Sequence, residues 1–210
     1  MALGRLHVLT DFHFQQRFSH AELCALAVRG GADTMQFRQK FGGIRHRLLE
    51  ARRAQAVCQE AGVPFVINDA LDIALAIGAA GVHLGQADFP IAEARRLLPP
   101  DAIVGATASS VREAERAWRD GATYIGFGPV FPTNSKANPT AVRGLDGLAA
   151  VCAAVPIPVI AIAGITAARI ASVIDAGAYG VAVMTAITNA DDPEAATRAV
   201  REALDEALGD

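Results

Sequence analysis

Gly177-Ala178-Tyr179-Gly180, near the end of the chain, repeats a phrase that occurs three times before it. The earlier copies are Gly30-Gly31-Ala32-Asp33, Gly78-Ala79-Ala80-Gly81 and Gly121-Ala122-Thr123-Tyr124. In each copy, glycine ends a helix-like segment and small residues lead into a short apolar run. Apolar runs and helical segments alternate in this way eight times, at a period of about 25 residues, which is the spacing of a (β/α)8 barrel. The repeat therefore predicts an α/β fold, a (β/α)8 TIM barrel.

The predicted elements leave no linker, so residues 1–210 are expected to form a single (β/α)8 barrel domain, with its active site at the C-terminal ends of the strands. The predicted strands are Leu6–Thr10, Thr34–Arg38, Phe65–Asn68, Gly81–Leu84, Ile103–Ala106, Tyr124–Phe127, Val159–Ala163 and Gly180–Met184. The predicted helices are Ala21–Arg29, Arg45–Glu60, Leu71–Ile77, Ile91–Leu98, Val111–Asp120, Leu145–Val155, Ala168–Asp175 and Pro193–Leu208. The predicted helix N-caps are Ser19, Ser110, Thr166 and Asp192. A doubly wound open sheet competes with the barrel, but no GxGxxG motif follows an early strand.

Composition narrows the class of protein. Of the 210 residues, 52% are hydrophobic, which is ample for one large core, and a formal net charge of −3 argues against general affinity for nucleic acid. The three cysteines (Cys24, Cys58 and Cys152) lie far apart in helix-like segments, so we expect reduced thiols packed between helices and barrel. No signal peptide or membrane-spanning run is recognisable, which predicts a cytoplasmic protein without a membrane partner. The sequence is compatible with a homo-oligomer and does not determine the oligomeric state.

Polar side chains follow three neighbouring predicted strands. Gln36, Arg38 and Lys40 alternate, so in an extended strand they would share one face, while Asp69 and Asp88 follow the next two strands. Barrel strands end at a common rim, so we expect these groups to lie together. Two carboxylates suit Mg²⁺, which also takes phosphate oxygens, and the two cations suit a pyrophosphate. The alternatives are helix N-caps for the aspartates and a solvated strand end for the cations.

Two further regions are predicted to bind anions. The longest non-helical stretch runs from Gly128 to Gly144 and offers two hydroxyls and an ammonium at Thr133, Ser135 and Lys136. The loops after strands seven and eight, Ala163-Gly164-Ile165-Thr166 and Met184-Thr185-Ala186-Ile187, are suited to hold a phosphate through backbone N–H groups. His83, within the fourth strand, is interpreted as structural rather than catalytic.

Taken in order, these motifs resemble the thiamine-phosphate synthase (thiamine-phosphate pyrophosphorylase) family over about residues 6–193. The motifs are Gln36-x-Arg38-x-Lys40, Asn68-Asp69, His83-Leu84-Gly85-Gln86-x-Asp88, Gly126-x-Gly128-Pro129-Val130-Phe131-Pro132-Thr133-x-Ser135-Lys136 and Ala163-Gly164-Ile165. The resemblance implies a transferase that forms a carbon–nitrogen bond. It would couple hydroxymethylpyrimidine pyrophosphate to a thiazole phosphate by a dissociative, Mg²⁺-assisted mechanism, giving thiamine phosphate and pyrophosphate.

The resemblance also implies roles for individual residues. Asp69 and Asp88 would bind Mg²⁺. The catalytic set would be Arg38, Lys40, Thr107 and Lys136. The substrate-binding set would be Gln36, Arg38, Lys40, Asn68 and Thr107 for the pyrimidine pyrophosphate, Thr133, Ser135 and Lys136 for the departing pyrophosphate and the thiazole, and the backbone of Gly164, Met184 and Thr185 for the thiazole phosphate.

The chain departs from the family pattern at several positions. Ser109 stands where a histidine is common, and Ala163 replaces the first glycine of a Gly-Gly-Ile loop. The family usually has serine where Thr107 and Thr185 stand and threonine where Ser135 stands, so each exchange keeps a hydroxyl.

Three other functions compete with the synthase. A thiazole tautomerase on the same barrel would lean on the histidine that Ser109 replaces and need not keep the metal-binding acids. A non-catalytic barrel that binds thiamine intermediates would have no reason to keep Asp69, Asp88, Arg38 and Lys40. An aldolase or indole-glycerol-phosphate synthase would need a catalytic lysine on an inner strand, and the sequence offers none.

Overall fold

The computed structural model describes residues 3–133, 135 and 141–209. Eight parallel strands form a closed barrel in which each strand pairs with the next in sequence and the eighth pairs with the first. The strands are β1 (Leu6–Thr10), β2 (Thr34–Phe37), β3 (Phe65–Asn68), β4 (Gly81–Leu84), β5 (Ile103–Ala108), β6 (Tyr124–Phe127), β7 (Val159–Ile162) and β8 (Gly180–Val183). The predicted (β/α)8 barrel is therefore confirmed.

The described helices surround the barrel. They are α1 (His20–Arg29), α2 (Ile44–Glu60), α3 (Leu71–Ile77), α4 (Ile91–Leu97), α5 (Val111–Arg119), α6 (Gly144–Ala154), α7 (Ile170–Asp175), α8 (Thr185–Thr188) and α9 (Pro193–Leu208), with a 3₁₀ turn at Ala167–Arg169. In the part of the chain that the structure describes, none of them is long and apolar enough to cross a membrane. The short α8, directly after β8, was not predicted.

The repeated glycine phrase has one structural basis. One glycine in each copy has a positive φ, between +62° at Gly78 and +99° at Gly121, and lies where a helix ends. Glycine populates this region without the steric penalty that a Cβ brings, so the chain can leave the helix and turn towards the next strand.

Three predicted strand ends lie one residue too far along the chain. β2 ends at Phe37, β7 at Ile162 and β8 at Val183. Ala163, directly after β7, has a φ of +80°, which no extended strand adopts, and Met184, after β8, has ψ near −89°. At both positions the backbone turns into a functional loop, and a run of apolar letters does not reveal where that turn begins.

Three of the four predicted N-caps make the expected hydrogen bond. The side chains of Ser19, Ser110 and Asp192 accept from a backbone N–H three residues further on. Thr166 is wrong as a side-chain cap, because it precedes the 3₁₀ turn and its hydroxyl makes no capping bond.

Two apolar layers hold the fold together. The larger lies between the barrel and the helices and includes Cys24 and Cys58, while Cys152 packs partly buried against the same layer, and all three are free thiols as predicted. The smaller layer fills the barrel interior with side chains such as Val66, Tyr124 and Ile160. Because this inner plug occupies the middle of the barrel, ligands can enter only above it, at an end of the strands.

Candidate active site

A cavity of about 620 Å³ opens at the C-terminal ends of the strands. Inward side chains of the barrel form its floor, and the loops after β6, β7 and β8 form one wall. Among the predicted site residues in the described chain, those that line it are Gln36, Arg38, Asn68, Thr107, Thr133, Ser135, Gly164, Met184 and Thr185. Its size and polar floor fit small-molecule substrates.

A chain of hydrogen bonds crosses the floor of this cavity. The His83 Nε2 atom lies 2.9 Å from the Thr107 hydroxyl, and its Nδ1 atom lies 2.8 Å from the Tyr124 hydroxyl. Tyr124 is fully buried, and burial raises the pKa of its phenol, against the influence of the nearby Gln36 side chain. The network therefore ties the predicted substrate contacts Gln36 and Thr107 to one chain of polar side chains.

Two glycines make room for that network. A Cβ at Gly105 would lie 2.2 Å from Tyr124 and 2.4 Å from His83, and one at Gly126 would lie 2.8 Å from His83. The sequence interpretation treated His83 as structural and did not single out Tyr124. The alternation of inward and outward residues along barrel strands could have pointed to His83 and Tyr124 as inward side chains. Glycines on the neighbouring strands could have indicated that their rings approach the backbone closely.

Arg38 forms an ion pair with Asp11, which the sequence interpretation missed. Asp11 is only 2% exposed and also accepts a hydrogen bond from the backbone N–H of His13. Burial lowers the pKa of Arg38, while the Asp69 carboxylate opposes that effect. Since both Asp11 oxygens are engaged, the carboxylate fixes the guanidinium at the cavity edge.

The predicted common face of Gln36, Arg38 and Lys40 is only partly correct. Because β2 ends at Phe37, the two cations lie on the following loop and are not held by strand geometry. Gln36 and Arg38 line the main cavity, whereas Lys40 lies beside it, in a smaller depression that it shares with Asp11 and Phe41.

Lys40 instead joins the predicted metal-binding acids. Its Nζ atom lies 2.9 Å from Asp69 Oδ2, and Asp88 Oδ2 accepts a 2.7 Å hydrogen bond from Gly85 N. Burial raises the pKa of Asp88, and the neighbouring Asp69 carboxyl adds to that effect, while the Gly85 bond and Lys40 oppose it. Neither aspartate caps a helix, since Ala70 and Pro90 occupy the cap positions of α3 and α4.

This acidic pair is a donor set that a small hard cation fits. The Asp69 carboxyl lies close enough to Asp88 to help raise the pKa of Asp88, and a divalent cation shared by the two groups would offset their charges. Among the described residues there is no cluster of three metal-binding side chains. Mg²⁺ needs only one or two carboxylates when phosphate oxygens complete its coordination, so the pair suffices.

Hydroxyl groups connect the loops after β6 and β8. Ser135 Oγ lies 3.0 Å from the Thr133 hydroxyl and 2.8 Å from the Thr185 hydroxyl. The predicted hydroxyls of this region are thus brought together across 50 residues of sequence. Lys136, predicted beside them, lies outside the described residues.

The loop after β7 approaches the β6 loop too closely for any side chain at Gly164. A Cβ there would lie 2.7 Å from both Phe131 Cβ and the Pro132 carbonyl oxygen, and the φ of Gly164 is +68°. Arg169, which the sequence interpretation did not single out, donates a 2.6 Å hydrogen bond to the Gly164 carbonyl and lies over the Phe131 ring at 4.6 Å. Arg169 also lines the cavity.

Ser109 does not line the cavity and has a structural partner. Its backbone N–H and its hydroxyl both donate to Glu113 in the first turn of α5, at 2.7 and 3.0 Å. The position where a histidine is common therefore carries a hydroxyl that bonds to the start of α5, and not an imidazole.

These features define a class: a (β/α)8 barrel whose rim carries two separate clusters of polar side chains, one of them beside a pair of carboxylates. Residues 6–187 match the family model described as thiamine monophosphate synthase. The chain belongs to this family of transferases.

Relatives of known name agree with that assignment. The thiamine-phosphate synthase of Salinibacter ruber is 61% identical over 99% of this chain and 91% of its own length. That of Methanocella arvoryzae is 47% identical over 92% of this chain and 91% of its own length. The structure of thiamine phosphate pyrophosphorylase from Pyrococcus furiosus superposes with a TM-score of 0.88, at 36% identity and with 98% and 97% of the two chains covered.

Proposed function

We propose that this protein couples hydroxymethylpyrimidine pyrophosphate to a thiazole phosphate, giving thiamine phosphate and pyrophosphate. The observation that carries the proposal is the pairing, on one rim, of a cation-and-carboxylate cluster with a separate phosphate-type loop region. Family membership supplies the reaction class. The substrates are both small anions, and no nucleic acid or membrane is required.

The pyrophosphate end of the first substrate would lie at the Arg38 side of the cavity. Arg38, held by Asp11, would donate paired hydrogen bonds to the phosphate oxygens, and Asn68 would contribute its amide. Lys40 would add a mobile positive charge, released from Asp69 as the pyrophosphate arrives. Lys136 is assigned to the same leaving group from sequence alone.

We assign Mg²⁺ to Asp69 and Asp88. When bound there, the ion would neutralise charge on the departing pyrophosphate. The exposure of Lys40, at 48% for its side chain, leaves it free to move when the acids take up a cation.

The pyrimidine would lie over the floor network. Gln36 and Thr107 are positioned there by Tyr124 and His83, whose hydrogen bonds fix the ring of His83 between two hydroxyls. The bond between the pyrimidine methylene and the pyrophosphate oxygen breaks, and the thiazole nitrogen donates its electron pair to the methylene carbon. Positioning and leaving-group stabilisation then account for the rate, without a protein nucleophile.

The thiazole phosphate would lie against the loops after β7 and β8. The close approach at Gly164 brings backbone to the cavity wall, and Thr133, Ser135 and Thr185 present linked hydroxyls beside it. The backbone N–H groups of Gly164, Met184 and Thr185 are the donors that we assign to this phosphate.

The direct test mixes both substrates with Mg²⁺ and follows thiamine phosphate and released pyrophosphate. We expect both products in equal amounts. Asp69→Asn and Asp88→Asn should each lower turnover at least tenfold, because charge stabilisation of the leaving group is lost. Asp72→Asn, a matched change on the exposed face of α3, should leave turnover unchanged.

Tautomerisation of a thiazole carboxylate phosphate without any thiamine phosphate would overturn the proposal in favour of the isomerase. The serine at position 109 speaks against that activity, since its hydroxyl is bonded to Glu113 and no imidazole stands there. Full activity in both aspartate variants would refute the metal assignment alone.

A further inference from the structure

Arg169 is the second arginine that lines the cavity, and it differs from Arg38 in whether a carboxylate neutralises its charge. Among the described residues that line the cavity, the guanidinium groups are those of Arg38 and Arg169. Arg38 is paired with the buried Asp11 carboxylate. No carboxylate within the described ranges forms an ion pair with Arg169, so its positive charge faces the cavity uncompensated.

The position of Arg169 separates it from the pyrophosphate region. In the closed strand order, β7 lies four strands away from β3, which places the two on opposite sides of the barrel. Asp69 follows β3, and Arg169 belongs to the turn that follows β7. An anion held by Arg169 is therefore a different anion from the one that meets the acidic pair.

The guanidinium is also oriented. One nitrogen of the guanidinium donates to the Gly164 carbonyl at 2.6 Å, and its central carbon, Cζ, lies 4.6 Å from the centre of the Phe131 ring. These two contacts immobilise a side chain that is otherwise exposed and direct it along the β7 loop. A guanidinium has five N–H donors, so a single bond to a carbonyl leaves donors for a ligand.

We infer that Arg169 binds the phosphate monoester of the thiazole substrate and so determines the preference for the phosphorylated form. This inference rests on the proposed function. It adds a side-chain charge to the backbone donors of the same region and makes Arg169 a specificity residue. Because the side chain is partly open to solvent, its contribution should be screened by salt.

A binding experiment tests this without relying on turnover. Calorimetry would measure the Kd of thiazole phosphate, and of the unphosphorylated thiazole alcohol, for the wild type and for Arg169→Gln, Arg169→Lys and Arg52→Gln. Arg169→Gln should weaken binding of the phosphate about tenfold or more, as expected for a lost charge-assisted hydrogen bond, and leave the alcohol unchanged. Arg169→Lys should recover part of the loss.

Arg52→Gln removes the same charge from an exposed position on α2 and should bind both ligands like the wild type. The difference between wild type and Arg169→Gln should also shrink in 0.5 M salt. If Arg169→Gln weakens the binding of the phosphate and of the alcohol equally, or weakens neither, then Arg169 only holds two loops together and the inference is wrong.

Turnover then separates the two proposals. Loss of phosphate preference in Arg169→Gln together with absence of thiamine phosphate from the wild type would refute the proposed function and leave the binding role in place. Product formation by the wild type with an unchanged Kd in Arg169→Gln would refute the binding role alone.

Discussion

Acidification from pH 7 to pH 5 should destabilise the fold through two buried histidines. His20, the first residue of α1, is fully buried between the Phe12 and Phe37 rings, and its Nδ1 atom lies 2.6 Å from the Thr10 hydroxyl. Burial lowers its pKa to about 4, although the Gln39 side chain opposes the effect, while His46 contributes slightly in the same direction as burial.

His7 on β1 behaves in the same way. Its Nε2 atom contacts the Gly4 carbonyl at 3.0 Å, and its ring packs edge-on against Tyr124. Burial lowers its pKa to about 4 against the Gly4 bond and the distant Asp33 charge. Its Nδ1 atom makes no hydrogen bond to any atom of the described chain, so a second proton there would be unsatisfied.

The sign follows from proton linkage. Each histidine binds a proton near pH 6.5 when unfolded but only near pH 4 when folded, so the unfolded state gains protons between these values and stability falls as the pH falls. The loss should reach about 2 kcal/mol for each histidine between pH 7 and pH 5, and about 3 kcal/mol once the pH is below 4.

Urea denaturation at pH 7 and pH 5 measures this loss. The difference in free energy of unfolding between the two pH values should be about 2 kcal/mol smaller in His20→Gln, and likewise in His7→Gln, than in the wild type. His13→Gln, at an exposed position, serves as the matched control and should keep the wild-type difference. Identical pH differences in all four proteins would refute the reasoning.

Three further substitutions test local features. Ala163→Gly should raise the free energy of unfolding by about 0.5–1 kcal/mol, because glycine adopts a positive φ without the steric penalty that alanine pays, and this gain exceeds the extra entropy of glycine in the unfolded chain. An unchanged or lower midpoint in urea would contradict this. Gly105→Ala should lower the free energy of unfolding by about 3 kcal/mol, since the new Cβ collides with Tyr124 and His83. Wild-type stability in this variant would show that the two side chains can move aside at no cost. Asp11→Asn should lower the free energy of unfolding by about 3 kcal/mol, because the guanidinium of Arg38 loses its carboxylate partner. Inorganic pyrophosphate should then raise the thermal midpoint of this variant by binding at Arg38, and an unchanged midpoint would argue against an anion site there.

The barrel and the rim position of the site could be predicted because both depend on local periodicity. The strands β1, β3, β4 and β6 have the bounds that the apolar runs predicted, and the carboxylates after β3 and β4 lie side by side as their order around the barrel required. The exact strand ends at Ala163 and Met184 could not be predicted, since φ and ψ there depend on contacts with other loops.

The partners of the predicted residues were beyond the reach of sequence. Asp11 pairs with Arg38 because the neighbouring strands β1 and β2 end side by side. The Tyr124 hydroxyl on β6 meets His83 on β4 because the barrel brings these strands together across β5. Arg169 falls within the predicted helix Ala168–Asp175, and nothing in its sequence context indicates that a 3₁₀ turn directs it towards Phe131 and the cavity.

By itself, the sequence determined the fold, the family and the identity of the chemical groups at the rim, because glycine-ended helices, apolar runs and polar strand ends are local properties of the chain. Only the tertiary structure decided which charges are compensated. Asp11 neutralises Arg38, Lys40 turns to Asp69, and Arg169 remains unpaired among the described residues. The physical reason is that Coulomb interactions depend on distance in space, and barrel closure sets those distances between residues that lie far apart along the chain.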